Sequence, residues 1–158
     1  MTDMEPISAL APVEVGDLAD WIEGIDFALW PQQHRLEDGG IRPAMVTDLA
    51  WHGFGVMTEP VVQECLEHFP YCTDRERMLT VVMPGHSIPP HTDRQSERWR
   101  CRIHIPLLTN EDAALVVEGV SYTLEVGQAY LFDTRREHAV VNDGDTPRVH
   151  FVFDVVQP

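Results

Sequence analysis

Residues 77–155 form a succession of short predicted strands with turns between them and no helical segment, and this pattern restricts the fold more than any other feature of the chain. Apolar β-branched runs or period-two alternation mark the strands, and glycines or Asp-Gly-Asp separate them. The predicted strands are 78–83, 100–105, 113–117, 120–126, 128–132, 138–142 and 148–155. The pattern predicts a mainly β fold, a jelly-roll or cupin-like double-stranded β-helix.

The N-terminal part of the chain has a different character. Residues 12–22 carry apolar side chains at helical spacing. Thr58 is a predicted N-cap for a second helix, which has Glu59 and Pro60 in its first turn, continues over 61–69 and ends at Pro70. We therefore expect one domain over residues 1–158, in which helices of a mixed part (1–76) pack on the outside of a β core (77–158).

The charge of the chain argues against two classes of binding partner. The net charge is −15, and all eleven basic residues are arginines. A field of this sign disfavours nucleic acid and anionic membranes as partners.

Other features of the sequence bear on the cellular compartment. The sequence shows no apolar run of bilayer length and no secretory signal, and three cysteines are an odd number for a disulfide framework. We expect a cytoplasmic protein whose partner is a small molecule or short peptide; the sequence does not predict an oligomeric state.

Two predicted strands each have one apolar face and one cationic face. On 100–105, Arg100, Arg102 and His104 alternate with three apolar residues, and on 148–155, Arg148 and His150 alternate with Val149, Phe151 and Phe153. A buried arginine needs an anionic partner because an unpaired charge inside a protein costs several kcal/mol. A bound dicarboxylate is one such partner.

One pattern of residues points to a metal. His91, Asp93 and the more distant His138 offer two imidazoles and one carboxylate, which can occupy one face of an Fe(II) ion and leave the remaining positions open. Arg148 follows shortly after the second histidine, where it could hold a dicarboxylate. The pattern indicates a non-haem Fe(II) oxygenase that uses 2-oxoglutarate. The alternative from the residues alone is a metal-free β-barrel with structural histidines.

Several ordered motifs resemble the aspartyl/asparaginyl β-hydroxylase family. The motifs are Pro84-Gly85 before Pro90-His91-Thr92, Arg100-x-Arg102-Ile103-His104-Ile105-Pro106-Leu107, Gly127 to Asp133, and Glu137-His138 through Arg148 to Asp154. The resemblance covers residues 77–155 and implies a double-stranded β-helix with Fe(II) and the cosubstrate 2-oxoglutarate. Animal members of the family have a non-ligating residue where this chain has Asp93, so the full triad resembles bacterial relatives.

The resemblance also assigns roles to residues of this chain. His91 and His138 match the metal-binding histidines of the family. Arg148 matches the arginine that pairs with the distal carboxylate of 2-oxoglutarate, and Thr80 falls where the family often has a supporting hydroxyl. Arg102 and His104 match residues that line the cosubstrate pocket.

Arginines beside these motifs suggest the kind of substrate. Arg94, Arg98 and Arg136 lie close to the metal motifs in a strongly acidic chain, so they are candidate binders of a substrate carboxylate. The alternative interpretation is that these arginines balance nearby acidic side chains on the surface. His86 is a further candidate for substrate binding because it closely precedes His91. For His150, we expect a structural role in the core.

The sequence thus predicts a 2-oxoglutarate-dependent hydroxylase. The expected substrate is small and bears a carboxylate: an amino acid, an amino-acid derivative or an Asp/Asn-type peptide residue. The products would include succinate and CO2. Two alternatives remain: a cupin-type metal enzyme that does not use 2-oxoglutarate, and a non-catalytic ligand-sensing β-barrel module.

Overall fold

The computed structural model describes residues 5–25, 44–45, 54–93 and 99–158. Within these ranges it contains two helices and ten strands. The elements are β1 (Ile7–Pro12), α1 (Gly16–Glu23), β2 (Ala44–Met45), α2 (Phe54–Leu66), β3 (Thr73–Val82), β4 (His86–His91), β5 (Trp99–Leu108), β6 (Ala113–Val117), β7 (Val120–Tyr122), β8 (Gln128–Phe132), β9 (His138–Asn142) and β10 (Arg148–Val156). Neither helix is long and apolar enough to cross a membrane.

The strands form two antiparallel sheets. The larger sheet has the order β1-β8-β5-β10-β3-β2, and the smaller has the order β4-β9-β6-β7. Side chains from both sheets pack together in one apolar cluster, which includes Val82 and Phe132 from the larger sheet and Leu115 and Val140 from the smaller. Two facing antiparallel sheets confirm the predicted mainly β, double-stranded β-helix fold.

The central strand β10 separates two environments. All nine of its residues are buried. One face carries Val149, Phe151 and Phe153, which pack in a single core with Leu18 of α1 and Val61 of α2. The helices therefore cover the outer, apolar face of the larger sheet, as the sequence predicts. The other face, with Arg148, His150 and Val152, is directed at the smaller sheet, and Arg148 and Val152 line a cavity there.

The structure departs from the sequence prediction in three places before β5. The prediction of Thr58 as an N-cap is wrong, because α2 begins at Phe54 and the Thr58 hydroxyl donates to the Gly55 carbonyl (3.1 Å) within the helix. Strand β1, in a region expected to be partly helical, pairs with β8 at the sheet edge. Residues 86–91, for which no strand was predicted, form β4 and pair with β9.

Candidate metal and cosubstrate site

A cavity of about 90 Å³ lies between the two sheets. Its wall combines polar and apolar side chains. The lining residues are Met78, Thr80, Ile88, His91, Asp93, Arg102, His104, Leu115, His138, Val140, Arg148 and Val152. The seven residues that the sequence analysis assigned to the metal and the cosubstrate are all in this set.

His91 and His138 are neighbours across the smaller sheet. His91 ends β4 and His138 begins β9, and the two residues pair directly in the antiparallel register. Their ring centroids are 4.2 Å apart. Nδ1 of each ring lies 2.9 Å from a backbone carbonyl, that of Pro89 for His91 and that of Arg136 for His138. Because a carbonyl can only accept, each Nδ1 donates, and each Nε2 keeps a lone pair for a metal.

Asp93 completes the group. Its backbone N–H donates to the Thr134 carbonyl (3.0 Å), which anchors the residue beside the β8–β9 loop. One carboxylate oxygen, Oδ1, lies 3.6 Å from Nε2 of His91. The other oxygen, Oδ2, accepts a hydrogen bond of 2.7 Å from Arg102. One potential ligand atom from each of His91, Asp93 and His138 lies within 4.8 Å of the others. This donor set fits Fe(II).

The environment of His138 favours its ligating form. Burial lowers the pKa of His138, and the hydrogen bond to the Arg136 carbonyl only partly opposes this effect. Phe132 packs edge-on against the ring, with a centroid distance of 4.8 Å. The imidazole is therefore neutral at physiological pH, and a neutral imidazole is the form that binds a metal.

Arg148 is a buried cation that pairs with no carboxylate of the described residues. It is 2% exposed, and no ion pair among the described residues includes it. Its guanidinium lies 3.1 Å from Nδ1 of His150. Burial lowers the pKa of Arg148 to about 9. An anion in the cavity would stabilise this charge, as the sequence analysis expected for an arginine on this face.

Thr80 and His104 lie beside Arg148 on neighbouring strands. Thr80 of β3 pairs with His150 of β10, and its hydroxyl is 3.5 Å from the His150 carbonyl. His104 of β5 is buried, and burial, with Arg148 and Arg102 nearby, lowers its pKa far below the usual value. A neutral imidazole and a hydroxyl are therefore available on the wall beside the guanidinium.

Arg102 lies on the cavity wall, but its guanidinium is occupied by acidic side chains. It donates to both oxygens of Asp154, at 2.7 and 3.0 Å, and to Asp93. Glu76 lies 3.8 Å away. Burial opposes the charge on Arg102, but the carboxylates outweigh it and raise its pKa. In this arrangement Arg102 connects the last strand with Asp93.

The candidate substrate residues have mixed positions. Arg94 and Arg98 lie outside the described residues. Arg136, two residues before His138, donates to Glu118 at 2.8 Å. His86 is at the opposite end of β4 from His91, about 16 Å along the strand, and does not line the cavity. The structure thus does not bring His86 together with the metal residues.

Two residues of the site region were not predicted to belong to the site. Asp154 holds Arg102, and His150 contacts Arg148. Strand alternation places both on the cavity-side face of β10 with Arg148, so the signal was present in the sequence. The rule that a buried arginine needs a carboxylate predicts an acidic partner for Arg102, but it does not identify Asp154 as that partner.

The fold and the site together define the class of the protein as a double-stranded β-helix whose cavity holds a candidate site for Fe(II) and 2-oxoglutarate. Two solved structures are similar to it in fold. An oxidoreductase of the 2OG-Fe(II) oxygenase family from Burkholderia pseudomallei has a TM-score of 0.62 and 14% identity, with 96% of this chain and 84% of that chain covered. The non-haem α-ketoglutarate-dependent epimerase SnoN of nogalamycin biosynthesis has a TM-score of 0.72 and 12% identity, with 97% and 78% covered.

The chain belongs to the aspartyl/asparaginyl beta-hydroxylase family, because the profile of that family matches residues 54–158. It is also 28% identical over 143 residues to the human aspartyl/asparaginyl beta-hydroxylase. That alignment covers 88% of this chain but 16% of the human protein. The family match confirms the resemblance that the motifs indicate.

Proposed function

We propose that the protein is an Fe(II)- and 2-oxoglutarate-dependent hydroxylase of a small, carboxylate-bearing substrate. The substrate class is an amino acid, an amino-acid derivative or an Asp/Asn-type peptide residue. Succinate and CO2 are the other products. The observation that carries the proposal is the buried and uncompensated charge of Arg148 in the same cavity as His91, Asp93 and His138.

The metal-binding role falls to three residues. Nε2 of His91, Nε2 of His138 and Oδ1 of Asp93 are the atoms left available once the backbone carbonyls and Arg102 have taken their other polar atoms. The hydrogen bonds to the two backbone carbonyls and to Arg102 fix the orientation of each candidate ligand before a metal binds. Three protein ligands leave open positions for the cosubstrate and oxygen.

The cosubstrate-binding role falls to Arg148 and Thr80. A guanidinium can hold a carboxylate through two parallel charge-assisted hydrogen bonds, and the Thr80 hydroxyl can add a third. When bound, Fe(II) and 2-oxoglutarate supply oxidative chemistry: 2-oxoglutarate and O2 yield succinate and CO2, and one oxygen atom enters a substrate C–H bond. Ile88, Leu115 and Val140 contribute apolar side chains to the wall of the same cavity.

The substrate class rests on charge. Arg94, Arg98 and Arg136 lie next to the metal motifs in a chain with a net charge of −15, where a cationic cluster would attract a carboxylate locally. Arg136 already shares its charge with Glu118, so a substrate carboxylate would compete with or join that pair.

Binding of matched 2-oxo acids tests the proposal. Titration calorimetry of the Mn(II)-loaded protein, without oxygen, compares 2-oxoglutarate with 2-oxopentanoate, which has a methyl group in place of the distal carboxylate. We expect 2-oxoglutarate to bind at least about tenfold more tightly, because the bond to Arg148 is charge-assisted. Arg148→Ala should remove this preference. Equal binding of both acids by the unaltered protein would contradict the cosubstrate assignment and favour a cupin-type enzyme without 2-oxoglutarate.

A further inference from the structure

Beneath the cavity wall, three buried side chains form a continuous contact. Nη2 of Arg148 lies 3.1 Å from Nδ1 of His150, and Nδ1 of His104 lies 3.5 Å from the same His150 atom. His150 is 1% exposed and does not line the cavity, whereas Arg148 and His104 do. His150 therefore touches the cationic side chain of the site from behind.

The donor and acceptor roles in this contact are fixed by chemistry. A guanidinium has only donors, so Nδ1 of His150 accepts and the proton of the ring resides on Nε2. Nε2 of His150 has no hydrogen-bond partner among the described residues. Burial, together with the Arg148 charge and then His104, lowers the pKa of His150 far below the usual value, which agrees with a neutral ring.

A neutral acceptor has an effect on Arg148 that a carboxylate could not have. It restrains one N–H group of the guanidinium and so limits the rotation of the side chain. It does not cancel the positive charge, so the remaining N–H groups keep their attraction for an anion. The contrast lies in the same cavity: Arg102 is held by Asp154 and Asp93, and its charge is compensated within the protein.

We propose that His150 is a positioning residue that orients the guanidinium of Arg148 toward the distal carboxylate of 2-oxoglutarate while leaving its charge available to that anion. The inference rests on the proposed function. It replaces the structural role that the sequence alone assigns to His150. The residue acts through Arg148 and makes no contact with the reacting atoms.

Three substitutions separate positioning from packing. His150→Asn keeps an acceptor near the position of Nδ1. His150→Leu removes the acceptor and fills the space with an apolar side chain. His150→Glu supplies a charged acceptor. Each variant is checked by circular dichroism and thermal unfolding. Binding of Mn(II), and then of 2-oxoglutarate to the Mn(II)-loaded protein, is measured by calorimetry.

We expect a specific order of affinities for 2-oxoglutarate among the three variants. His150→Leu should weaken 2-oxoglutarate binding by about tenfold or more, since one contact of a charged group is lost, while Mn(II) affinity stays within about twofold. His150→Asn should recover most of that loss. His150→Glu should bind 2-oxoglutarate more weakly than His150→Asn, because the new carboxylate pairs with Arg148.

The outcomes also separate this inference from the proposed function. If the unaltered Mn(II)-loaded protein fails to bind 2-oxoglutarate, the proposed function is wrong. If the unaltered protein binds it and His150→Leu binds it equally well, only the role of His150 is overturned. Should His150→Leu fail to fold, the comparison of His150→Asn with His150→Glu decides: equal affinities for 2-oxoglutarate overturn the role, and a weaker His150→Glu supports it.

Discussion

Asp154 holds the guanidinium of Arg102 through two hydrogen bonds, at 2.7 and 3.0 Å, from the adjacent strand of the larger sheet. Arg102 in turn donates to Oδ2 of Asp93 at 2.7 Å. A side chain near the end of β10 thereby determines which oxygen of Asp93 remains free. Asp93, the third candidate ligand, is held by this pair as well as by its own backbone bond to Thr134.

Asp154→Asn should weaken metal binding although Asp154 is not a ligand. The amide can accept from only one of the two Arg102 N–H groups, so Arg102 and Asp93 lose orientation. Loss of such a supporting contact lowers metal affinity by about 10- to 100-fold. Calorimetry with Mn(II) measures the effect, and Asp112→Asn, an exposed aspartate outside the cavity, is the matched control. Unchanged affinity in Asp154→Asn would show that Asp93 does not depend on this pair.

Substitution of the ligands themselves should have a larger effect. His91→Ala and His138→Ala should each abolish activity and Fe(II) binding, because each removes one of only three protein ligands. Asp93→Ala should do the same. His68→Ala, an exposed histidine outside the cavity, should retain full metal affinity. A metal-bound structure with Asp93 directed away from the ion would refute the triad but not the two-histidine site.

Arg148→Lys should affect the cosubstrate and not the metal. Lysine keeps the charge but cannot form the two parallel hydrogen bonds of a guanidinium. We expect the KM for 2-oxoglutarate to rise severalfold or more, with metal affinity nearly unchanged. Arg77→Lys is the matched control, because Arg77 pairs with Asp74 and Glu59 away from the cavity. Equal KM values for Arg148→Lys and the unaltered protein would remove Arg148 from the clamp.

Arg136→Ala should weaken substrate binding. If Arg136 contacts a substrate carboxylate, the loss is ~1.5–3 kcal/mol, the usual range for a hydrogen bond to a charged group. Substrate affinity is measured in the presence of Mn(II) and 2-oxoglutarate, and Arg135→Ala, whose exposed arginine pairs with Asp133, is the neighbouring control. Amide or ester analogues should bind poorly. A neutral analogue that binds as well as the acid would contradict a carboxylate-bearing substrate.

Much of the β core could be predicted because the alternation of apolar and polar residues along a strand shows which side chains share a face. On β5, Cys101, Ile103 and Ile105 are buried in the helix-covered core while Arg102 and His104 line the cavity, as period-two alternation requires. The same rule predicts both faces of β10. The pattern works here because the two faces of β5 and β10 differ in chemistry, so a shift of one residue would move arginine and histidine side chains from the cavity into the apolar, helix-covered core.

The parts that sequence reasoning missed lack such a local signal. Residues 86–91 contain Pro89 and Pro90, which disfavour a strand prediction, and β4 tolerates them at the edge of its sheet. The Thr-Glu-Pro sequence at 58–60 resembles a helix start, but α2 begins at Phe54 and includes Pro60. The pairing of Asp154 with Arg102 depends on strand register, which alternation alone does not determine.

Succinate formation from 2-oxoglutarate tests the central claim most directly. The Fe(II)-loaded protein is incubated with 2-oxoglutarate, oxygen and a panel of free amino acids, N-acyl amino acids and Asp- or Asn-containing peptides, with His138→Ala as the inactive control. The account predicts succinate in excess over the control, in equal amount to a hydroxylated product for at least one carboxylate-bearing substrate. A protein that binds Fe(II) but releases no more succinate than His138→Ala, with or without any member of the panel, would contradict it.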